Sequence, residues 1–312
     1  MSSQASIRIG TRGSPLALAQ AHETRDRLCR AHGLEEQDIA IVVIRTTGDR
    51  ILDRSLAEAG GKGLFTREIE DALLEGAIDI AVHSMKDMPT MLPKGLVIST
   101  MLAREDVRDA FISNKADDFT ALPAGAVVGT ASLRRQAQIL NRWPHLSVVT
   151  FRGNVQTRLS KLDEGVVDAT LLANAGLRRL GATARITRLI GTDEMLPAVA
   201  QGAIGIEQRE NDERISALLA PLNDEPTFTA VTAERALLAA LDGSCRTPIA
   251  ALAVIRGGRL HLKGEILMPD GSRRITVSAS GDVVDAQKIG ADAGLQLRRD
   301  GGDDILAALG AG

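Results

Sequence analysis

A run of polar and ionisable side chains directly follows a short apolar stretch near residue 80 of this 312-residue chain. The apolar residues 80–82 predict a buried strand, and Pro89 prevents the pattern from continuing. The five residues after the strand supply four polar side chains, namely His83, Ser84, Lys86 and Asp87. Because α/β proteins place their chemistry at the carboxyl edge of a sheet, this segment is a candidate acid–base site. A solvated turn between a strand and a loop explains the same residues, so both interpretations stay open on this stretch alone.

The two cysteines stand in different surroundings. Cys29 lies in a helical pattern over residues 25–31, which favours a packing role. Cys245 follows the end of a predicted helix and precedes Arg246 on a loop. A neighbouring positive charge favours the reactive thiolate, so Cys245 is a candidate nucleophile or attachment point, with an inert loop thiol as the alternative. A cysteine hydrolase would pair Cys245 with His83, although nothing in the sequence brings these two residues together.

The composition indicates a soluble globular protein. Hydrophobic residues make up 44% of the chain and charged residues 25%, with a formal net charge of −3. Aromatic residues are only 2%, which leaves few side chains for stacking on bases, so we expect no nucleic-acid partner. No apolar run reaches membrane length and residues 1–6 lack a signal pattern, so we expect a cytoplasmic protein without membrane contact. Two cysteines more than 200 residues apart predict neither a disulfide framework nor a metal site.

The chain contains an internal repeat. Residues 10–14 (Gly-Thr-Arg-Gly-Ser) are echoed by residues 129–132 (Gly-Thr-Ala-Ser), and residues 75–79 are echoed at the same spacing by residues 164–168. The repeat predicts two lobes of one α/β design, in which strands alternate with helices. Each serine is a helix cap close to an arginine. We therefore expect both helix starts to face a cleft between the lobes and to bind anions there.

Three domains follow from the pattern. We predict a first α/β lobe over residues 1–102 and 200–220, because the apolar, glycine-punctuated segment 196–206 returns to it after the second lobe, residues 103–199. Residues 221–226 contain two prolines and are predicted to be a linker. Residues 225–312 then form a small α+β domain, in which a helix is followed by three strands at about 249–255, 259–267 and 273–279 and a helix at roughly 282–298.

Seven motifs occur in one order along residues 10–249. They are Gly-Thr-Arg-Gly-Ser-Pro-Leu-Ala-Leu (10–18), Gly-Gly-Lys-Gly-Leu-Phe (60–65), Ala-Val-His-Ser-Met-Lys-Asp-Met-Pro (81–89), Ser-Leu-Arg-Arg-Gln (132–136), Arg-Gly-Asn-Val-Gln-Thr-Arg-Leu (152–159), Leu-Pro-Ala-Val-Ala-Gln-Gly-Ala-Ile-Gly (196–205) and Gly-Ser-Cys-Arg-Thr-Pro-Ile (243–249). In these motifs the chain resembles the porphobilinogen deaminase family, also called hydroxymethylbilane synthase. The resemblance implies two lobes like those of a type II periplasmic binding protein, an interlobe cleft, and a small C-terminal domain that carries the cofactor cysteine.

The resemblance also implies a function in tetrapyrrole synthesis. The enzyme would join four porphobilinogen molecules head to tail with loss of ammonia, and hydrolysis would release the linear product. Cys245 would hold a dipyrromethane primer through a thioether, and Asp87 would be the catalytic acid–base group, leaving His83 as a hydrogen-bonded structural partner. We expect a monomer.

Arginines acquire a role from this resemblance. Seven of the 37 basic residues are lysine, which leaves 30 arginines, the residue that binds carboxylates in a two-pronged fork. Each pyrrole ring of the substrate bears two carboxylates. The residues that would bind the cofactor are Ser14, Ser84, Lys86, Thr130, Ser132, Arg134, Arg135 and Arg158. Those that would bind the substrate are Arg12, Lys62, Arg152, Arg158, Arg179 and Gln201.

A non-enzymatic binding protein for a dicarboxylate or a phosphate is the competing hypothesis. It shares the two-lobed cleft and the helix starts that bind anions. It gives no reason for Cys245, for a third domain or for the arginines along the cleft. A cysteine hydrolase is a more distant alternative.

Overall fold

The structure, a computed structural model, describes residues 7–47, 66–243 and 247–310. These residues fall into two compact units. The first unit comprises the residues up to Arg104 together with Ala203–Phe228, and the second comprises Glu105–Gly202 together with the residues from Thr229 onward. None of the helices in the described ranges is both long enough and apolar enough to cross a membrane.

A five-stranded mixed sheet forms the centre of the first unit. Its strands are β1 (Ile7–Thr11), β2 (Ile39–Val43), β3 (Ile80–Ser84), β4 (Leu96–Met101) and β10 (Ile204–Arg209). The strand order is β2-β1-β3-β10-β4, with β2 and β3 parallel to β1 and with β10 antiparallel to both its neighbours. The segment after the second lobe therefore supplies an inner strand of the first sheet.

Helices cover both faces of this sheet. They are α1 (Pro15–His32), α2 (Arg67–Leu74) and α6 (Glu213–Leu219). The side chain of Ser14 caps α1 by accepting the Ala17 N–H at 3.2 Å, and Gly33 ends the helix at a φ of 64°, a left-handed conformation that glycine adopts at little cost. Apolar side chains of β1, β3 and β10 pack with α1 and α6 in one core, and α2 packs on Ala81 and Leu96 in another.

A second sheet with the same spatial arrangement of strands forms the first part of the second unit. Its strands are β5 (Asp109–Ser113), β6 (Val127–Gly129), β7 (Ser147–Val149), β8 (Ala169–Ala173) and β9 (Arg188–Leu189), in the order β7-β6-β8-β5-β9. Its helices are α3 (Leu133–Arg142), α4 (Val155–Asp163) and α5 (Asn174–Arg179). In both sheets the inner antiparallel strand lies between the third parallel strand and an edge strand. This shared order confirms the predicted α/β class and the type II binding-protein lobes.

The repeat extends to a pair of aspartates at equivalent positions. Asp79 precedes β3, and its Oδ2 accepts the Arg8 N–H at 2.8 Å, while its own N–H donates to the Arg8 carbonyl at 2.9 Å. Asp168 precedes β8 and makes the same two contacts with Val127, at 2.7 and 2.8 Å. Each aspartate therefore ties two adjacent parallel strands of its sheet, β3 to β1 and β8 to β6.

The C-terminal part of the second unit is an antiparallel sheet with helices. Its strands are β11 (Ile249–Arg256), β12 (Arg259–Leu267) and β13 (Arg274–Asp282), close to the predicted ranges. The helices are α7 (Glu225–Ala240), α8 (Ala286–Leu297) and α9 (Asp303–Gly310), of which α9 was not predicted. The turn between β12 and β13 contacts α3, because the side-chain amide of Asn141 donates to the Gly271 carbonyl at 2.8 Å.

The predicted linker over residues 221–226 is wrong. Ala220–Leu222 form a 3-10 turn, and α7 begins at Glu225. The helix starts this early because Asp224 caps it: its Oδ1 accepts the Thr227 N–H at 2.9 Å. Proline is tolerated in the first turn of a helix, so Pro226 does not prevent it.

Candidate active site

A pocket in the first unit brings together four of the predicted site residues. Arg12, Ser14, Ser84 and Asp87 line it, with His83 beside them. Its cavity volume is about 60 Å³. The pocket is at the carboxyl end of β3 and at the start of α1, which is the sheet edge that the sequence indicated.

The turn that presents Asp87 is anchored on both sides. After β3 ends at Ser84, a 3-10 turn covers Met85–Asp87. The Met85 N–H donates to the Ala203 carbonyl at 3.0 Å, and the Met88 N–H closes the turn on the Met85 carbonyl at 3.2 Å. Met85 and Met88 are buried while Asp87 is exposed. The two methionines therefore fix the turn in the core and leave the carboxylate accessible from the pocket.

Two polar residues of the pocket were missed by the sequence analysis. Gln20 is buried on α1, and its side-chain amide donates to the Ser84 Oγ at 2.8 Å. Thr66, just before α2, is also buried in the pocket wall. Within the helical pattern of α1, a glutamine on the buried face gave no signal that distinguished it from a surface residue.

His83 makes the hydrogen bond expected of a structural partner. Its Nε2 lies 2.9 Å from Oε2 of Glu207 on β10, and both side chains are buried. Glu70 on α2 is buried against this pair. Burial raises the pKa of Glu70, and the negative charge of Glu207 also raises it, while Thr66 and His83 act in the opposite direction without cancelling the rise. Neither glutamate was predicted, because the chain places them 13 residues before and 124 residues after His83.

A buried charge cluster in the second unit contains two predicted arginines. Arg134 Nη2 donates to Asp109 Oδ2 at 2.7 Å, and Arg135 donates to both carboxylate oxygens, at 3.2 Å from Nε and 2.8 Å from Nη2. The side-chain amide of Gln201 donates to Asp109 Oδ1 at 2.8 Å. Burial alone would raise the pKa of Asp109, but the two guanidinium groups outweigh burial and hold it far below its usual range.

Arg158 lies close to this cluster without a carboxylate partner in it. The side chain is half-buried, and its Nε is buried with no hydrogen-bond partner among the described residues. Burial, assisted by the positive charge of Arg135, lowers the pKa of Arg158 to about 10. A desolvated cation with an unsatisfied donor suits an anionic ligand, so the residues present fit a group that bears carboxylates.

The remaining predicted residues lie in both units. Ser132 caps α3 by accepting the Arg135 N–H at 3.4 Å, and its own N–H donates to Thr130 Oγ1 at 3.2 Å. Arg179 donates to the Gly202 carbonyl at 3.1 Å. Arg152 follows β7, and Lys86 lies in the turn that presents Asp87. Cys245 and Lys62 lie outside the described residues.

Comparisons with known proteins identify the family. The model of the "Porphobilinogen deaminase, dipyromethane cofactor binding domain" matches residues 7–217, and that of the "Porphobilinogen deaminase, C-terminal domain" matches residues 228–299. The porphobilinogen deaminase of Paracoccus denitrificans is 62% identical over 94% of this chain and 93% of its own. The chloroplastic porphobilinogen deaminase of Pisum sativum is 59% identical over 93% of this chain and 80% of its own.

Among solved structures, the methionine-binding protein MetQ aligns with 71% of this chain and 91% of its own, at 14% identity and a TM-score of 0.45. Family models that together match most of the chain, and relatives of such identity over nearly its whole length, decide the assignment. The chain belongs to the porphobilinogen deaminase family.

Proposed function

We propose that this protein condenses four porphobilinogen molecules head to tail with loss of ammonia, on a dipyrromethane held by Cys245, and releases hydroxymethylbilane by hydrolysis. Family membership and the names of the relatives support this activity. The observation on which the catalytic assignment rests is the shared pocket of Asp87, Arg12 and Ser14 at the carboxyl end of β3.

Asp87 is the catalytic acid–base residue in this proposal. Loss of ammonia leaves a positive charge on the pyrrole nitrogen of the substrate, and a carboxylate beside the ring can accept the N–H and stabilise that charge. When the next ring has been joined, the same carboxylate can take up the proton released from the ring carbon. An exposed side chain on an anchored turn suits both tasks, since it meets successive substrates without moving the backbone.

Arg12, which lies beside Ser14, positions the substrate next to Asp87. Both line its pocket, and Arg12 offers a guanidinium to a carboxylate of the ring. The amides at the start of α1 add partial positive charge at the same place. We assign further substrate carboxylates to Arg152, Arg158, Arg179, Lys62 and Gln201.

The cofactor-binding residues are assigned in both units. When bound, the dipyrromethane supplies the ring end to which the first substrate is joined. Thr130, Ser132, Arg134, Arg135 and Arg158 would bind its carboxylates in the second unit, and Ser14, Ser84 and Lys86 would do so in the first. Arg134 and Arg135 are oriented for this by Asp109, and Arg158 has an unsatisfied buried donor.

We also propose that the enzyme is monomeric and cytoplasmic. Its three domains would be residues 1–102 with 200–220, residues 103–199, and residues 225–312.

Turnover of porphobilinogen tests the function directly. The purified protein is expected to release four molecules of ammonia for each linear tetrapyrrole formed. Binding of porphobilinogen without ammonia release would instead favour the alternative of a non-enzymatic binding protein.

A further inference from the structure

Three ionisable side chains form a buried cluster behind the pocket of Asp87. His83 and Glu70 are each 6% exposed and Glu207 is 0% exposed. They come from three different elements, β3, α2 and β10, of the same unit. The acid–base chemistry assigned to Asp87 makes no use of the two glutamates. Burial of three ionisable groups costs free energy unless they interact, so the cluster calls for an explanation.

The hydrogen bond between His83 and Glu207 favours one tautomer. With Glu207 ionised its carboxylate can only accept, so the 2.9 Å contact between Nε2 of His83 and Oε2 of Glu207 places the proton of a neutral imidazole on Nε2. The other ring nitrogen, Nδ1, then has a lone pair available for any further partner. His83 also lines the pocket, where the reacting atoms of the substrate offer an ammonium and a pyrrole N–H, both of which are donors. An imidazole that accepts suits that pocket better than one that donates.

Glu70 completes the charge balance. Two carboxylates close together in a buried site do not both ionise readily, so one of them holds a proton. Oε1 of each glutamate is buried without a hydrogen-bond partner among the described residues, but Oε2 of Glu207 also lies 2.9 Å from the His83 ring nitrogen. The other charged side chains in the pocket wall, Arg12 and Asp87, carry opposite charges, so together they add no net charge to the pocket wall. Protonation of Glu70 therefore disrupts fewer interactions than protonation of Glu207 would.

We propose that Glu70 and Glu207 are positioning residues for His83: ionised Glu207 holds the imidazole with its proton on Nε2, and neutral Glu70 prevents a second buried negative charge. The pocket beside Asp87 then receives an imidazole of one tautomer and one orientation. The catalytic significance of this arrangement rests on the proposed function, while the protonation states of the cluster do not.

Two spectroscopic measurements on the cofactor-loaded enzyme at neutral pH test the cluster without reference to activity. Infrared spectroscopy should detect a neutral carboxylic acid that disappears in Glu70→Gln and persists in Glu207→Gln. Nitrogen NMR should find His83, assigned by the signal lost in His83→Asn, as the Nε2–H tautomer in wild type and in Glu70→Gln. In Glu207→Gln the tautomer should become mixed. A doubly protonated His83 in wild type, or a neutral acid that is lost in Glu207→Gln instead, would overturn the proposal.

Kinetics separate positioning from a purely structural role. Glu207→Gln should lower kcat by about 10- to 100-fold with little change in KM, because a misplaced group weakens the chemical step more than binding. Glu70→Gln replaces a neutral side chain by a neutral one of equal size, so kcat should change by less than about twofold. A loss of kcat in Glu70→Gln equal to that in Glu207→Gln would contradict the assignment. If Glu207→Gln does not fold, the wild-type and Glu70→Gln spectra still decide the protonation states.

Glu234 provides a matched control. It is also a fully buried glutamate, but its oxygens accept the N–H groups of Ala200 and Ala253, at 2.7 and 2.8 Å, in the second unit. Glu234→Gln should lower thermal stability and leave the His83 signals unchanged. An enzyme that released no ammonia from porphobilinogen but gave the expected spectra would refute the proposed function and leave the cluster intact.

Discussion

Arg135 binds Asp109 through two of its nitrogens, one to each carboxylate oxygen, and both side chains are almost completely buried. Such a bidentate pair is geometrically specific, and removal of one partner leaves an uncompensated charge in a site with little water. Asp109 binds Arg134 as well, so it is the anion on which the orientation of both arginines depends.

Asp109→Asn should therefore lower the free energy of unfolding by about 3–5 kcal/mol. The pKa of Asp109 is lowered in the folded state, so its stabilisation is fully present above the unfolded pKa of about 4 and is lost as the pH falls below it. Urea unfolding at pH 7 and at pH 3 measures both effects: the difference between variant and wild type should shrink at the lower pH. Asp117→Asn, at an exposed position, is the control and should change stability by less than about 0.5 kcal/mol at either pH. Equal stability of Asp109→Asn and wild type at pH 7 would contradict the role given to this carboxylate.

Arg158→Met should separate stability from function. Arg158 is a desolvated cation with an unsatisfied donor, so its replacement by an apolar side chain of similar length should raise the free energy of unfolding of the cofactor-free protein by about 1 kcal/mol. Synthesis should nevertheless fail, and the stalled complexes, separated by charge and mass, should hold fewer than four added rings. Arg185→Met is the control, since Arg185 pairs with an exposed aspartate and should change neither quantity. Normal tetrapyrrole synthesis by Arg158→Met would remove Arg158 from the site.

The purified protein should be heavier than its sequence by one dipyrromethane attached to Cys245. Intact-mass and peptide-mass measurements locate the addition, and Cys29 provides the internal control because it should remain a free thiol. Cys245→Ser should give an inactive protein that unfolds at a lower temperature, because it lacks the stabilisation that a bound ligand provides. An unmodified Cys245 in fully active enzyme would refute the attachment.

Asp87→Asn should fold normally and lose turnover. The substitution preserves the size of the side chain but removes both the charge and the ability to accept a proton, which predicts a rate reduced by at least about a hundred- to a thousand-fold. Asp87 is exposed on a turn held by Met85 and Met88, so circular dichroism and thermal unfolding should match wild type. Asp87→Glu retains the charge and should keep a small activity. If folded Asp87→Asn turned over porphobilinogen at a near-normal rate, catalysis would have to be reassigned, with His83 as the next candidate.

The sequence predicted the parts of the site that depend on local pattern. The strand at residues 80–82, the polar turn that ends at Asp87 and the serine cap of α1 all follow from residue types within one short segment. Asp109 could not be predicted in this way, because it stands among other charged residues at 104–109 and its partners are 25 and 26 residues away. Glu207 meets His83 only because β10 pairs with β3, a contact that spans 124 residues. Side chains brought together by strand pairing leave no pattern in either segment.

The late position of β10 in the chain has a consequence for synthesis on the ribosome. The nascent chain makes β1 to β4 first, yet β3 and β4 share no hydrogen bonds and await residues 204–209, which lie between them in the finished sheet. The five strands of the second sheet are all translated in that interval. The second lobe can therefore complete its sheet before the first, the reverse of the usual order in which amino-terminal domains fold earliest. Until then the facing edges of β3 and β4 present unpaired backbone groups, the kind of edge that chaperones shield and that aggregation exploits.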